Sequence, residues 1–278
     1  MTTERVAREI LLRAKKEVFT GNLGNTLTAF KGDGIDFAEI KEYNFGDDVR
    51  KINWKATAKT GDVKLNVFNE ERELNIIVAF MLSGSIRFGT VRLKQEVMAE
   101  LLAMLSFSAI KNADRLTTLF FSDGMEHFVK PTKNSGVVED TLRVALDSDP
   151  IGKRADFDAF CHYLNSTTRQ KSIVLLIGDF YGDIDLSTIA HRHQIYALIV
   201  RDRFEEYPDL EGEFTLVDPV TLEGSELVMS RAVAQKYHAM RNAEDEKLYE
   251  HFLEHKITHG KIYTDEDIYV RASQILKG

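Results

Sequence analysis

The feature that most constrains the fold is a nearly continuous apolar run at 74–82, which ends in the polar sequence Ser83-Gly84-Ser85. A strand that is apolar on both faces is typical of the centre of a parallel sheet covered by helices on both sides. Further apolar runs, separated by segments of helical spacing, follow at 116–121, 172–177 and 194–200. This alternation predicts an α/β fold with a doubly wound, mostly parallel sheet and helices on both faces.

The segments before and after these runs have a different pattern. Helical spacing predicts a helix over 3–19, and alternation predicts a half-buried strand over 63–67. We expect Asp47 and Asp48 to cap a short helix over 54–59, since Asp oxygens accept amide hydrogens at helix starts. Beyond residue 203, the pattern predicts short strands, a long helix, a last strand and a last helix. We therefore divide the chain into three parts. Residues 1–73 form an N-terminal helix with a β-containing segment, 74–203 form a sheet domain, and 204–278 form a C-terminal α+β extension that packs on the same domain.

The charge of the chain limits its partners. With 278 residues and 44% hydrophobic content, the chain is long enough to bury a sizeable core. Its formal net charge of −8 leaves no broad basic face to neutralise phosphates. We therefore expect neither nucleic acid nor an anionic membrane surface as a general partner.

Cysteine content and the N-terminus indicate the compartment. Cys161 is the single cysteine, so the chain has no internal disulfide and no cysteine pair for zinc. The N-terminal residues are charged throughout, and no window reaches the roughly 18 apolar residues of a membrane helix. We expect a cytoplasmic protein without membrane insertion.

Polar residues at the ends of two predicted strands form a candidate metal site. Ser83 and Ser85 follow the first strand and Asp179 follows the run at 172–177. In this order they resemble the metal-ion-dependent adhesion site of von Willebrand factor A domains, which has the pattern Asp-x-Ser-x-Ser, then Thr, then Asp. The position of the first Asp is Met81, and the position of the Thr is Ala155.

These two replacements weaken the predicted site. Mg²⁺ prefers six oxygen ligands at about 2.0–2.1 Å, and a thioether is a soft ligand. We therefore predict a degenerate site with no resident cofactor. Two alternatives stay open: a weakly bound Mg²⁺ held through waters, or serines that only cap the turn into the next helix.

A second resemblance covers nearly the whole chain. It is carried by FAEIKEY at 37–43, GDDVRKINWKATA at 46–58 and VFNEER at 67–72. These segments resemble the bacterial family fifty-eight of the domains of unknown function, which contains a von Willebrand factor A-like domain. Asn53 departs from the Asp usual in that family. The resemblance implies that the signature residues either recognise a partner or clasp the N-terminal segment; the residues are Asp47, Asp48, Arg50, Trp54, Glu70 and Glu71.

The resemblance also implies a partner. Members of this family are commonly encoded beside MoxR-type AAA+ ATPases and are thought to act with them in chaperone-like maturation or metal insertion. No catalytic activity is established for the family. We therefore expect a non-enzymatic protein-binding module that acts with a MoxR-type ATPase on a client.

One motif favours an alternative function. His251, Glu254 and His255 fit the pattern H-x-x-E-H of inverted zinc peptidases, with two imidazoles one helical turn apart. A catalytic zinc also requires a third protein ligand, and Glu266 is the nearby carboxylate that we consider for it. The alternative to a binding module is thus a zinc-dependent hydrolase.

Overall fold

The computed structural model describes residues 3–20, 39–44, 47, 49, 52–67 and 73–277. The chain forms two compact units, one made of 28–73 and the other of 1–27 with 74–278. The strands are β1 (Glu39–Glu42), β2 (Lys64–Val67), β3 (Asn75–Met81), β4 (Arg115–Phe121), β5 (Met125–Thr132), β6 (Ile173–Gly178), β7 (Gln194–Arg201), β8 (Gly212–Val217), β9 (Gly224–Met229) and β10 (Thr258–Tyr263).

The helices account for most of the remaining described residues. They are α1 (Thr3–Thr20), α2 (Trp54–Thr60), α3 (Lys94–Lys111), α4 (Gly136–Asp147), α5 (Phe157–Thr167), α6 (Ser187–Ala190), α7 (Arg203–Glu206), α8 (Arg231–Glu254) and α9 (Ile268–Lys277), with a 3₁₀ turn at Gly84–Arg87. Among these described helices, none combines the length and the apolar content that a membrane crossing requires.

The larger unit is built on a six-stranded sheet in the order β10-β7-β6-β3-β4-β5. All neighbouring pairs are parallel except β4 and β5, which form an antiparallel hairpin. The chain leaves β3 toward β4 on one side and later returns to place β6 on the other. The sequence-based prediction of an α/β fold with a mostly parallel sheet is confirmed.

Helices cover both faces of the sheet because β3 has buried apolar side chains on both of its faces. Ile77, Ala79 and Met81 point to one face, where they belong to a buried cluster with residues of α5 and α8 such as Phe160 and Phe252. The residues between them point to the opposite face. There α3 crosses β3, β4, β6 and β7, and almost all of its residues are buried.

The two ends of the chain pack around this sheet. Helix α1 lies against α3 and α4, and Lys111 Nζ donates to the carbonyl oxygen of Val18 at 2.8 Å. The last strand predicted from the sequence is β10, which extends the sheet parallel to β7. Strands β8 and β9 form a separate antiparallel hairpin.

The smaller unit contains the β1–β2 pair and α2. The predicted capping of α2 by Asp47 is wrong, because Asn53 is the N-cap and its Oδ1 accepts from Ala56 N at 2.9 Å. Asp47 instead accepts from Lys41 Nζ at 3.0 Å and from Asn44 N at 2.9 Å. The predicted cap Asp48 lies outside the described residues. Gly61 ends the helix with a φ of 81°, a left-handed conformation that glycine adopts without strain.

Candidate functional site

The candidate metal-site residues meet at the carboxyl ends of β3 and β6. From β3 the chain continues to one side of the sheet and from β6 to the other, and folds of this kind bind ligands at such a point. Ser83 Oγ lies 2.7 Å from Ser85 Oγ and 3.4 Å from each carboxylate oxygen of Asp179. Ser85 also donates to Asp179 Oδ2. The structure thus brings together the three residues predicted from the sequence.

A lysine that sequence reasoning missed completes this cluster. Lys94 is the first residue of α3 and is fully buried. Its Nζ lies 3.3 Å from Asp179 Oδ2 and 2.7 Å from Glu205 Oε1. The ammonium also lies 5.0 Å from the centroid of the Tyr181 ring. A side chain therefore supplies positive charge to the Asp179 carboxylate.

The electrostatics of Asp179 fit this ion pair. Burial acts to raise the pKa of Asp179, but the charge of Lys94 and the hydrogen bond from Ser85 outweigh it and hold the pKa below its ordinary value. Burial raises the pKa of Glu205, and the same lysine offsets this only in part. Asp179 is therefore an ionised carboxylate that forms an ion pair with Lys94.

Further paired charges line the same edge of the sheet. Arg201, at the end of β7, is fully buried, and its guanidinium carbon lies 3.5 Å from the centroid of the Tyr181 ring. Its Nη2 donates to the carbonyl oxygen of Phe180 at 3.0 Å and to Asp245 Oδ1 at 3.3 Å. Asp245 Oδ2 accepts from Lys261 Nζ at 2.7 Å, which extends the network to β10.

The two replaced ligand positions contribute no oxygen. Met81 is buried in the core, and a Cβ placed on Gly178 would lie 3.2 Å from its Cβ. Ala155 precedes Asp156, which caps α5 by accepting from Ala159 N at 2.8 Å. Two hydroxyls and a carboxylate already paired with Lys94 do not fit the six oxygens that Mg²⁺ prefers. In the part of the chain that the structure describes, no group of three or more His, Cys, Asp or Glu is arranged to hold a metal ion.

The tip of the β8–β9 hairpin covers this edge. The carbonyl oxygen of Pro219 accepts from Gly152 N at 2.8 Å. A Cβ placed on Gly84 would lie only 2.0 Å from that same oxygen. Asp179 and Ser83 are only 3% and 5% exposed, whereas Ser85 is half-buried. The hairpin tip thus packs against the loop that carries Ser83 and Ser85.

The signature residues divide into those that are described and those that are not. Trp54 begins α2 and is 71% exposed, and Asp47 is held by Lys41 and Asn44. The remaining predicted interaction residues, Asp48, Arg50, Glu70 and Glu71, lie outside the described residues. Their role in recognition stays a prediction.

The H-x-x-E-H motif lies on α8 near its C-terminal end. His251 Nε2 accepts from Leu186 N at 3.0 Å, and its ring centroid is 4.6 Å from that of His255. Burial and the charge of His255 lower the pKa of His251 below its ordinary value. Glu254 is exposed, and Glu266 receives hydrogen bonds from Arg203 and Tyr263 N instead. Within the described residues the motif therefore gives the zinc hydrolase alternative no ligand set.

One sequence signal could have revealed the missed charges. Lys94 opens a long helix whose residues are otherwise mostly apolar, and Arg201 directly follows the apolar run 195–200. A basic residue at the edge of such a segment is expected to be buried with a carboxylate partner. The sequence does not tell which carboxylate is the partner, since Asp179 and Glu205 lie far from Lys94 along the chain.

Comparison with known proteins gives a family and distant structural similarity. The family model described as "Protein of unknown function DUF58" matches residues 39–247. The uncharacterized proteins Rv1480 of Mycobacterium tuberculosis and Mb1516 of Mycobacterium bovis are each 28% identical over 204 residues. The aligned region covers 70% of this chain and 64% of either relative, so the chain spans less than two thirds of their length.

Solved structures match with low sequence identity. The conserved hypothetical protein BatB from Bacteroides thetaiotaomicron has a TM-score of 0.46 at 12% identity, covering 73% of this chain and 97% of that one. Proximal thread matrix protein 1 from the mussel byssus, in a structure with a zinc-occupied MIDAS motif, has a TM-score of 0.35 at 17% identity, covering 46% of this chain and 38% of that one.

Proposed function

The chain belongs to the DUF58 family, and from this premise we propose that it is a cytoplasmic, non-catalytic protein-binding module. It acts with a MoxR-type AAA+ ATPase in the chaperone-like maturation of a client. Its adhesion site is degenerate, and its binding of partners is independent of metal. The same proposal assigns Asp47, Asp48, Arg50, Trp54, Glu70 and Glu71 to an interaction segment.

The contact between Lys94 and Asp179 is the observation that supports this proposal best. In a metal-dependent adhesion site, a divalent cation bridges the protein and a carboxylate of its ligand. Here the Asp179 carboxylate already has a fully buried ammonium 3.3 Å away. A cation that entered would meet like charge from Lys94 and would lack the oxygens replaced by Met81 and Ala155.

The exposure of Trp54 supports a role for the signature segment in binding. Large aromatic side chains are enriched among the residues that dominate interface energies, because they bury a large area at little entropic cost. Trp54 is 71% exposed although it is the single tryptophan of the chain. We therefore place Trp54 in the contact with the ATPase.

Recovery of the ATPase by the full chain tests the proposal. Tagged wild-type chain is incubated with lysate of its native cell, and bound proteins are identified by mass spectrometry. We expect a MoxR-type ATPase with the wild type and at least about tenfold less with Trp54→Ala, since loss of an aromatic hot-spot residue typically costs about 2 kcal/mol or more and tenfold corresponds to about 1.4 kcal/mol.

A matched control separates this contact from general surface effects. Leu12→Ala changes a side chain on α1 that is 61% exposed, and it should leave recovery unchanged. Failure of the wild type to recover any ATPase would contradict the proposed partner. Equal recovery by Trp54→Ala would contradict the assignment of Trp54.

A further inference from the structure

The β8–β9 hairpin offers a surface that the covered site does not. Its tip is seated at Gly84 and Gly152. Both strands nevertheless remain largely accessible, and most of their residues are exposed. The strands of the hairpin are therefore accessible to a partner, whereas Asp179 is buried.

The backbone of the hairpin has unpaired edges. Strands β8 and β9 pair with each other over six residues, from Gly212 opposite Met229 to Val217 opposite Gly224. Within the described ranges neither strand pairs with a third one. Outward-facing backbone N–H and C=O groups on such edges accept an additional strand from another chain.

The outer face of the hairpin combines apolar and acidic side chains. The register places Glu213, Thr215 and Val217 of β8 on the same face as Glu226 and Val228 of β9. Val217 is 61% and Val228 is 64% exposed. The opposite face carries Phe214, which is half-buried, and Met229, which is buried.

The charge of the hairpin region has one sign. Residues 207–229 contain six acidic side chains and no Lys, Arg or His, and all six are exposed: Asp209, Glu211, Glu213, Asp218, Glu223 and Glu226. Opposite charges placed directly across neighbouring strands stabilise the pairing, and like charges destabilise it. A second copy of this hairpin would therefore be repelled, whereas a basic strand would be attracted.

We propose that the β8–β9 hairpin binds an extended protein segment in which Lys or Arg side chains alternate with apolar ones, and that this segment adds a strand to an outer edge of the hairpin. Backbone hydrogen bonds supply the pairing, and Glu213 and Glu226 select the basic side chains on their face of the hairpin. The apolar side chains of the segment point to the opposite face, where they contact Phe214 and Leu216, which is 48% exposed. This proposal adds a recognition surface to the proposed function. It rests on that function for the assignment of the bound segment to the client.

Peptide binding to the purified full chain tests the proposal. The probes are labelled peptides of about nine residues, a length typical of strands, with alternating Lys and Val, alternating Glu and Val, or alternating Lys and Pro. Fluorescence anisotropy should show binding of the Lys/Val peptide and at least about tenfold weaker binding of the other two. The Lys/Pro peptide keeps the charge but lacks the backbone N–H of every second residue, and the fixed φ of Pro disfavours an extended strand. Hydrogen exchange should slow at residues 212–229.

Charge reversal provides the matched variants. The double substitution Glu213→Lys/Glu226→Lys should weaken Lys/Val binding at least about tenfold and should permit binding of the Glu/Val peptide. The control Glu246→Lys/Glu250→Lys makes the same change in net charge at exposed positions of α8 and should bind like the wild type. Equal weakening by the control would show general electrostatic attraction and would overturn the proposal.

Further outcomes of these experiments also test strand addition at the hairpin and the identity of its occupant. Equal affinity for the Lys/Val and Lys/Pro peptides, or slowed exchange elsewhere than 212–229, would overturn strand addition. Self-association that the hairpin substitutions alter would identify a second copy as the occupant and would also overturn it. Peptide binding uses the purified chain alone, so a failure to recover the ATPase would count against the proposed function and leave this result standing.

Discussion

At the scale of single residues, Lys94 decides the chemistry of the covered site. A buried ammonium costs several kcal/mol unless it is paired, and the positive end of a helix dipole adds to that cost at the first position of α3. Asp179 and Glu205 provide the compensation at 3.3 and 2.7 Å. Lys94 thus requires these carboxylates as partners. The negative charge of Asp179 is therefore already neutralised and does not attract a metal ion.

A magnesium titration tests whether Lys94 prevents Asp179 from binding a metal ion. Millimolar Mg²⁺ should not change the Tm of the wild type or of Met81→Asp, because Lys94 still neutralises Asp179 in both. Met81→Asp/Lys94→Ala should gain stability, about 2.7 kcal/mol if Mg²⁺ reaches a hundred times its Kd. The measurement is thermal unfolding with and without Mg²⁺, with Ca²⁺ as a second ion.

The wild-type arm does not depend on whether the substituted chains fold. A rise in the Tm of the wild type with Mg²⁺ would mean that the ion displaces Lys94, and the degenerate-site proposal would then be wrong. Met81 lies in the core, so the variants are first compared in the absence of the ion.

At the scale of elements, the seating of the hairpin on the sheet depends on small residues in the loops below it. Gly84 begins the 3₁₀ turn after β3, and the backbone of Pro219 approaches it too closely for any side chain. Gly152 adds a hydrogen bond to the same carbonyl oxygen. The Gly between Ser83 and Ser85 thus serves the packing of the hairpin.

Gly84→Ala should loosen the hairpin tip. Its Cβ would lie 2.0 Å from the carbonyl oxygen of Pro219, and such overpacking typically costs about 1–3 kcal/mol. Chemical denaturation measures the loss, and hydrogen exchange at the Gly152 amide should become faster. Gly124→Ala is the control, because its Cβ would have no neighbour within 4 Å. Equal losses for the two variants would show that the seating of the tip is not responsible.

At the scale of the whole molecule, the sheet is completed by a strand distant in sequence. Strand β7 has buried residues along nearly its whole length and pairs on one side with β6. Its other edge is covered by β10, and α9 packs against both of these strands. Residues beyond 203 are therefore part of the sheet itself.

The isolated segment 74–203 should consequently not fold cooperatively. It would expose the apolar edge of β7, and such edges promote aggregation. It would also leave α3 without α1, whose buried residues include Ile10 and Val18. We expect an insoluble fragment, or one without a sharp unfolding transition in circular dichroism, beside a cooperative full chain. Cooperative unfolding of the fragment would instead establish 74–203 as an independent domain.

The fold was predictable because its signals are local. The four apolar runs became β3, β4, β6 and β7, and the segments of helical spacing between them contain the helices that cover the sheet. The capping prediction failed at Asp47 because several residues near α2 have side chains able to cap it, and only the backbone path shows that Asn53 precedes the first turn.

The sequence by itself determined the α/β architecture, the meeting of Ser83, Ser85 and Asp179, and the loss of the ligands at Met81 and Ala155. The architecture follows from the period of hydrophobic residues and the loss of ligands from residue identity, whereas the meeting of the three side chains follows from their resemblance to an adhesion-site pattern at strand ends that share one edge of a parallel sheet. Only the tertiary structure decided that Lys94 neutralises Asp179 and that Pro219 packs against Gly84 beside the cluster. Both contacts join residues far apart along the chain, and the packing of α3 and of the hairpin against the sheet sets their distances.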